Sequence, residues 1–310
     1  MNRASDRYGV LLMTYGSPAS LDDVPRYIRA VRGGREVPGE VVTEMRRRYE
    51  LIGGSPLIEI TRAQAAALEE RLGGAAMVRA GMRFSAPSIV EALNEMADAG
   101  VHEAVGIIMS PQFSPLLMGG YVGAVAEARG ALHGRTPDVH LAGAWYREPA
   151  FIRAVAGRIT AARDGAHVLL TAHSLPRRVA EQEPGYIDQL QETAERVAAA
   201  AGLAPGEWTF CWQSAGHEPG EWMKPDFADL MPALSTAGHR SVLVAPIQFL
   251  ADHLEILYDI DVAARKQAQS AGLRFSRIES LNVDPGFIDA LAHVVERAVA
   301  GATDAITTRT

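Results

Sequence analysis

Residues 168–176 have the sequence Val168-Leu169-Leu170-Thr171-Ala172-His173-Ser174-Leu175-Pro176. A short apolar run bounded by turn residues is typical of a buried strand in a parallel sheet, and this one leads directly into a histidine. Ligands of open α/β sheets bind at the carboxyl ends of the strands. The sequence therefore places His173 where a binding or catalytic group is expected.

The chain uses the same pattern a second time. Residues 10–18 (Val10-Leu11-Leu12-Met13-Thr14-Tyr15-Gly16-Ser17-Pro18) align with residues 168–176 at an offset of 158 positions, from Val10 to Val168, and Tyr15 takes the place of His173. A weaker match pairs residues 107–113 with residues 243–249, each an apolar run that leaves through proline towards Gln-Phe. We interpret the chain as a duplication: two α/β lobes that face each other across a cleft, with Tyr15 and His173 on opposite walls.

Chain length supports two domains, because 310 residues are about twice the usual domain size of roughly 150. Apolar runs alternate with amphipathic stretches, which is typical of βαβ units. We predict two doubly wound lobes, each with a four-stranded parallel sheet. Predicted strands lie near 8–13, 77–83, 104–109 and 138–144, then near 166–172, 208–213, 241–246 and 273–278. Predicted helices span 21–31, 39–51, 60–73, 86–99, 120–132, 149–163, 177–201, 225–237, 253–271 and 285–300.

These elements divide the chain into two predicted lobes. The N-terminal lobe spans residues 1–146, and the C-terminal lobe spans residues 147–284 and carries His173 and Glu255. The last helix, residues 285–302, is expected to return to the first lobe.

Composition excludes several classes of function. The net charge is −7 and the sequence has no basic block, so nucleic acid is not an expected partner. The only cysteine, Cys211, cannot form a disulfide framework, a multi-cysteine zinc site or an iron–sulfur cluster on the chain's own thiolates. No apolar run approaches the roughly 18 residues of a membrane helix, and residues 1–7 lack a signal-peptide apolar region. We expect a cytoplasmic protein without stable membrane insertion.

Two interpretations apply to His173 and to the acidic segment at residues 251–261. His173 is either a core histidine satisfied by its turn or a proton acceptor, and its position at a strand end favours the acceptor. Glu255 and Asp259 are four residues apart and share a helix face. One interpretation is that both carboxylates lie on a solvated face of the helix. The other is that Glu255 points inward, because apolar residues surround it in the sequence. Histidine with carboxylate suits iron(II) or zinc, and two ligands indicate a transient metal.

Basic and apolar segments of the first half are further candidates. Arg29, Arg32, Arg35 and residues 46–48 are consistent with a solvated basic face. Arg48 and Tyr49, however, precede the turn Gly53-Gly54-Ser55-Pro56. The guanidinium of Arg48 and the hydroxyl of Ser55 could together bind a carboxylate of a ligand. Residues 113–121 predict an apolar, glycine-containing loop. That loop is either a lid or lip for a flat hydrophobic ligand or ordinary packing.

At these residues the chain resembles the ferrochelatases, which insert iron(II) into a porphyrin. The resemblance covers nearly the whole chain. It rests on residues 171–176, residues 252–259, Tyr49, residues 53–56 and residues 212–214. Residues 13–18 are most similar to the short, soluble bacterial branch that metallates coproporphyrin III.

The resemblance implies a lyase of haem biosynthesis with His173 and Glu255 as catalytic residues. They would handle iron(II) and the pyrrole protons, and Tyr15 would be the axial ligand of the product iron on the opposite face. The implied porphyrin-binding residues are Tyr15, Arg32, Arg48, Tyr49, Ser55 and Tyr121. Two departures stand out: the turn at Ser55 is one residue shorter than the family's Gly-Gly-x-Ser-Pro, and the acidic ridge beyond Asp259 is interrupted at Ala263.

The implied partners are the tetrapyrrole and iron(II), both as substrates. No permanently bound cofactor and no iron–sulfur cluster are expected, and the expected form is a monomer with transient contacts to neighbouring haem-pathway enzymes. Three alternatives stay open: a protoporphyrin IX ferrochelatase, another tetrapyrrole chelatase such as one acting on sirohydrochlorin with cobalt, and a haem-binding carrier.

Overall fold

The computed structural model describes residues 7–216 and 220–307, with side chains of the last helix described as far as Gly301. Its contacts divide the chain into two units. The first unit contains the chain up to Pro111, Pro115–Trp145 and the chain from Asn282 onward; the second contains Gln112–Ser114 and Tyr146–Leu281. The sequence predicted a domain boundary after residue 146, and the contacts divide the two units after Trp145. The chain re-enters the first unit at Asn282, just before the last helix.

The first unit is built on a parallel sheet of four strands. These are β1 (Tyr8–Thr14), β2 (Ala76–Met82), β3 (Glu103–Ile108) and β4 (Asp138–Leu141), in the spatial order β2-β1-β3-β4. Residues 10–13 of β1 are fully buried. An inner strand covered on both faces needs a continuous apolar run instead of an alternating one, which explains the sequence at residues 10–13.

Helices of the first unit follow the predicted order, with one difference. They are α1 (Val24–Val31), α2 (Gly39–Leu51), α3 (Leu57–Arg71), α4 (Ile89–Asp98) and α5 (Pro115–Ala131). Helix α5 begins earlier than predicted, so most of the predicted loop at residues 113–121 is its first turns. Proline at the first position of a helix is favourable because its missing N–H would have no intrahelical partner there.

The second unit repeats this topology. Its strands are β5 (His167–His173), β6 (Trp208–Gln213), β7 (Ser241–Pro246) and β8 (Arg274–Arg277), parallel and in the order β6-β5-β7-β8. The predicted fold class of two doubly wound α/β units with four-stranded parallel sheets is confirmed.

The strand registers correct one part of the internal alignment. Gly9 of β1 pairs with Ala104, and His167 of β5 pairs with Val242. Ala104 and Val242 are 138 residues apart, whereas the match of residues 107–113 with 243–249 assumed 136. That match was wrong by two residues because it aligned the Gln-Phe pairs, which do not occupy equivalent positions. The match of residues 10–18 with 168–176 agrees with the registers.

Helices of the second unit differ from the prediction in two places. They are α6 (Pro149–Ala162), α7 (Arg177–Gln182), α8 (Pro184–Ala200), α9 (Phe227–Thr236), α10 (Leu254–Leu257) and α11 (Arg265–Ser270). The single helix predicted over 177–201 is broken at Glu183, because Pro184 disfavours a helical conformation in the residue before it. The helix predicted over 253–271 contains a π-helical segment, Asp259–Ala264, between α10 and α11.

The last helix, α12 (Pro285–Thr307), belongs to the first unit. It contacts α3 and the strands β3 and β4. Within the described ranges, no helix is both long enough and apolar enough to cross a membrane.

His167 makes the stability of the second unit sensitive to acid. It begins β5, lies buried, and contacts the ring of His239 in a tilted arrangement with 4.6 Å between ring centroids. Burial, followed by the nearby charge of His239, lowers the pKa of His167 from 6.5 to about 4. Because the unfolded chain takes up this proton near pH 6.5 and the folded chain does not, stability is lost as the pH falls from about 6.5 to about 4.

We predict that replacing His167 by glutamine removes part of this acid sensitivity. Urea unfolding at pH 7.5 and pH 4.5 should show that the wild type loses about 1–3 kcal/mol more than the variant over this interval. Equal losses in the two proteins would show that His167 does not titrate with folding.

Candidate active site

His173 is the last residue of β5, at the carboxyl edge of the second sheet. Its backbone N–H donates to Gln248 Oε1 at 2.7 Å, and its ring Nδ1 lies 2.5 Å from the carbonyl oxygen of Ser174. A carbonyl oxygen only accepts, so Nδ1 carries the proton in the neutral ring. The lone pair of Nε2 is therefore left available for a proton or a metal ion.

Glu255 lies in α10 and points its carboxylate at that nitrogen. Glu255 Oε2 is 3.6 Å from His173 Nε2, and each side chain is about one-third exposed, at 33% and 31%. Oε2 itself is buried and has no hydrogen-bond partner among the described residues. A buried carboxylate oxygen without a donor is costly, so this atom is open to a hydrogen-bond donor or a cation from a ligand.

His253 is a third group in this cluster, and the sequence analysis did not single it out. Its Nε2 lies 3.9 Å from Glu255 Oε2, and its Nδ1 is 3.0 Å from the carbonyl oxygen of Ala251. The same argument as for His173 leaves the Nε2 lone pair on the side of Glu255. The available signal was its position two residues before Glu255, at the N-cap of α10.

Gln213 holds the turn that carries Glu255. Its Nε2 donates to the backbone carbonyl of Glu255 at 3.2 Å, and its Oε1 accepts from Thr171 Oγ1 at 2.6 Å. Phe249 packs against both imidazoles, with ring centroids 6.4 Å from His173 and 4.8 Å from His253. The cluster is thus fixed from β5, from β6 and from the segment after β7.

His173 and Glu255 together offer two ligands to a metal ion. Across the described part of the chain, no three His, Cys, Asp or Glu side chains are arranged to hold an ion jointly. The pair can accept protons, because it presents an imidazole lone pair and a carboxylate oxygen side by side.

In the first unit, Tyr15 occupies the position that corresponds to His173. It follows β1 and is 43% exposed. Its carbonyl oxygen accepts from the N–H of Phe84 at 3.1 Å, and the next residue, Gly16, has φ +83°. Tyr27 donates its hydroxyl to the carbonyl of Gly16 at 2.9 Å. The backbone around Tyr15 is therefore held on both sides, and its phenol is left accessible.

Arg83 lies beside Tyr15 and was missed by the sequence analysis. Its guanidinium carbon lies 5.5, 4.5 and 5.2 Å from the ring centroids of Tyr15, Phe84 and Tyr121. Such contacts are favourable for a cation, but they leave its hydrogen-bond donors unused. No carboxylate pairs with Arg83 among the residues that the structure describes.

The strand registers contain a signal that could have identified Arg83. Val78 of β2 pairs with Val10 of β1, and Trp208 of β6 pairs with Val168, the equivalent residue of β5. Equivalent positions of β2 and β6 are therefore 130 residues apart. The same offset aligns Arg83 with Gln213. Arg83 follows β2 and lies next to Tyr15, whereas Gln213 ends β6 and lies next to His173.

The other predicted porphyrin-binding residues differ in accessibility. Tyr121 is only 4% exposed, and its ring meets that of Tyr15 at a centroid distance of 5.9 Å. Burial raises the pKa of the Tyr121 hydroxyl. As the structure stands, Tyr121 supports Tyr15 from within the unit and offers little surface to a ligand. Tyr49 is buried as well.

Arg48, Ser55 and Arg32 lie on α2, on the turn after it and at the end of α1. Arg48 Nε donates to Glu44 Oε1 at 2.9 Å, and hydrogen bonds from Arg47 and Arg48 lower the pKa of Glu44 to about 2. Ser55 Oγ accepts from the N–H of Leu57 at 3.4 Å. Arg32 is half-buried, with no carboxylate partner among the described residues.

Comparison with known proteins identifies the family. The sequence profile of the family described as Ferrochelatase matches residues 7–299. The chain belongs to the ferrochelatase family. As a member of this family it is a metal chelatase, a lyase of haem biosynthesis that acts on a tetrapyrrole and a metal ion.

Two relatives illustrate how far the similarity extends. Ferrochelatase from Deinococcus radiodurans is 39% identical over 304 residues, which cover 94% of this chain and 96% of that protein. Coproporphyrin III ferrochelatase from Geobacillus kaustophilus is 38% identical over 302 residues, which cover 93% of this chain and 94% of that protein. Members of the ferrochelatase family thus align with this chain over nearly its entire length.

Solved structures show the same fold at low sequence identity. SirB from Bacillus subtilis with Fe3+ superposes with a TM-score of 0.60 at 10% identity, covering 96% of this chain and 98% of that one. CbiX, described as the terminal enzyme for siroheme biosynthesis in denitrifying bacteria, has a TM-score of 0.55 at 16% identity, covering 94% and 99%. The chain therefore shares its fold with these two proteins.

We predict that Gly16→Ala disturbs this site more than a comparable substitution elsewhere. An added Cβ would lie 1.9 Å from Ser85 Oγ, and the positive φ is unfavourable for alanine. Thermal unfolding should show a loss of about 2–4 kcal/mol, together with reduced chelatase activity.

Gly100→Ala is the matched control, because Gly100 has φ +77° but no atom within 4 Å of an added Cβ. This variant should lose about 1 kcal/mol of stability, from the strain of alanine at a positive φ, and it should retain its activity. Equal losses at the two glycines would contradict the steric argument at Tyr15.

Proposed function

We propose that this member of the ferrochelatase family inserts iron(II) into coproporphyrin III to give iron coproporphyrin III, or coproheme. One observation carries the proposal. At the carboxyl edge of a parallel sheet, His173 Nε2 lies 3.6 Å from Glu255 Oε2, which has no hydrogen-bond partner among the described residues. A proton acceptor beside a metal-binding carboxylate suits a reaction that takes up a dication and releases protons.

The reaction exchanges one Fe²⁺ for two pyrrole N–H protons, so two protons need acceptors. His173 Nε2 accepts a proton without a change of tautomer, because Nδ1 stays bonded to the carbonyl of Ser174. Glu255 Oε2 presents negative charge to the entering cation and supplies a second acceptor. His253 Nε2, 3.9 Å from Glu255 Oε2, places a second imidazole beside the carboxylate but lies beyond hydrogen-bond distance of it.

Tyr15 is proposed as the axial ligand of the product iron. Its phenol is the most accessible side chain of the first-unit cluster, since Tyr121 beneath it is buried. The guanidinium of Arg83 lies 5.5 Å from the centroid of the Tyr15 ring, where it can pair with an anionic group of the ligand.

Two cations support coproporphyrin III, a tetracarboxylate, as the substrate. Arg32 and Arg83 are half-buried without carboxylate partners among the described residues, so their donors are free for propionates. Relatives from Geobacillus kaustophilus and Geobacillus thermodenitrificans that carry the name coproporphyrin III ferrochelatase are 38% and 37% identical. The alternative is protoporphyrin IX, because the Deinococcus radiodurans relative is named only as a ferrochelatase.

We also propose that the reaction needs no resident cofactor. The single thiol, Cys211, is buried, and burial raises its pKa, so it is a poor metal ligand. One cysteine is also too few to ligate an iron–sulfur cluster.

Substrate choice is tested by supplying anaerobic iron(II) with coproporphyrin III or protoporphyrin IX and following the change from free-base to metalloporphyrin absorption bands. We expect kcat/KM to be at least about tenfold higher for coproporphyrin III, since each additional paired carboxylate contributes roughly 1–2 kcal/mol. A faster reaction with protoporphyrin IX would favour the alternative substrate.

Arg83→Gln provides the internal control for this comparison. Because this variant loses a partner for a propionate, KM for coproporphyrin III should rise more than KM for protoporphyrin IX. The ratio of kcat/KM between the two porphyrins should therefore fall. An unchanged ratio would remove Arg83 from substrate selection.

We predict that His173→Ala and Glu255→Gln each lower kcat for metal insertion by about 100-fold or more, because a positioned proton acceptor or cation ligand is lost. Porphyrin binding, measured by fluorescence titration without metal, should change by less than about threefold. His102→Ala, which changes an exposed histidine, should behave as the wild type. Full activity of His173→Ala would overturn the assigned mechanism.

A further inference from the structure

Arg277 ends β8 and makes an unusually complete set of contacts for a surface-strand arginine. Its Nε and Nη2 donate to the two carboxylate oxygens of Asp261 at 3.0 and 2.8 Å. Its Nη1 donates to the carbonyl of Ile278 at 2.9 Å and lies 3.4 Å from Asp252 Oδ1. The side chain is only 13% exposed.

Asp252 is fixed in the same network. Ser280 Oγ donates to Asp252 Oδ1 at 2.7 Å, and the side chains of Asp252 and Asp261 are 23% and 25% exposed. A bidentate pair with a partly buried guanidinium is both strong and directional. Asp252 and Asp261 are thereby held to the carboxyl end of β8.

These two aspartates flank the turn that carries the candidate ligands. Asp252 immediately precedes His253 and Glu255, and Asp261 lies in the π-helical segment that follows α10. Helix α10 is a single turn, which cannot maintain its own conformation in isolation. Its geometry must be imposed by contacts outside it.

Apolar packing supplies only part of that constraint. Ile256, Ile260, Ala264 and Ala268 are buried in the core of the second unit. They fix how deeply the segment sits and which face it buries. They do not fix the ends of the segment, because apolar contacts are not directional.

We propose that Arg277 is a positioning residue for metal insertion. Its guanidinium ties both ends of the Asp252–Asp261 segment to β8 and thereby sets the separation of Glu255 from His173. The proposal rests on the proposed function of that pair. Without the guanidinium, Asp252 and Asp261 lose the cation that they share, and the segment loses its tie to β8. Arg265, 3.8 Å from Asp261, and Ser280, bonded to Asp252, each contact only one of the two carboxylates. A displacement of about 1 Å at a reactive pair is enough to change a rate by up to about 100-fold.

Arg277→Met tests this role by removing the charge and keeping most of the apolar stem. We expect kcat for iron(II) insertion to fall about 10- to 100-fold and KM for the metal to rise at least about fivefold, with KM for porphyrin within about twofold of the wild type. Arg277→Lys keeps the charge without the planar fork, so it should restore part of the activity.

Arg147→Met is the matched control. Arg147 also makes a bidentate pair, to Glu192 at 2.7 and 2.6 Å in the same unit, but that pair involves α8 and not the Asp252–Asp261 segment. Its kinetic constants should stay within about twofold of the wild type. Thermal unfolding of all variants in the absence of metal shows how much of any loss is simple destabilisation.

Asp261→Asn keeps the shape of the site and provides a second measurement if Arg277→Met does not fold. It should show the same rise in KM for the metal, to a smaller degree. Lower stability with unchanged kinetic constants in both variants would overturn the proposal and leave Arg277 as a structural residue. Failure of the proposed function gives a different result, because the wild type itself would then insert no iron(II).

Discussion

Parallel pairing of β5 with both of its neighbours is the constraint on which the candidate site depends. In a parallel sheet all carboxyl ends lie along one edge, so the chain must bring His173, Gln213 and the segment after β7 to the same edge. Each then contributes a different function. His173 supplies a lone pair, Gln213 holds the carbonyl of Glu255, and Gln248 anchors the backbone of His173.

The duplicated topology carries different chemistry in its two copies. Both units have the same strand order, and both place a polar ring after or at the end of their first strand. The first unit surrounds Tyr15 with aromatic rings and the guanidinium of Arg83; the second surrounds His173 with a carboxylate and a second imidazole. Buried strand sequences maintain the topology, whereas the residues just beyond the strands are free to diverge, because they do not contribute to the sheet core.

The sequence predicted all eight strands within a few residues. The inner strands β1, β3, β5 and β7 gave the clearest signal, because inner parallel strands need continuous apolar runs. It was less successful where one local feature interrupts a periodic pattern. Pro184 breaks a helix that periodicity extended from residue 177 to residue 201. The π-helical segment Asp259–Ala264 left no sequence signal that we recognised, since its residues are compatible with a continuous α-helix. The assumed helical spacing of Glu255 and Asp259 therefore does not hold beyond α10.

By itself, the sequence determined the fold class, the duplication, the positions of His173 and Tyr15 at strand ends, and the family resemblance. These follow from local patterns: apolar runs, turn residues and short motifs. Only the tertiary structure decided that Nε2 of His173 faces an oxygen of Glu255 that has no hydrogen-bond partner in the described part of the chain. It also decided that His253 lies beside Glu255, that Arg83 lies beside Tyr15, and that Arg277 binds both Asp252 and Asp261. Those contacts join residues far apart in the chain, and their distances depend on how helices pack on the sheets, which no local pattern specifies.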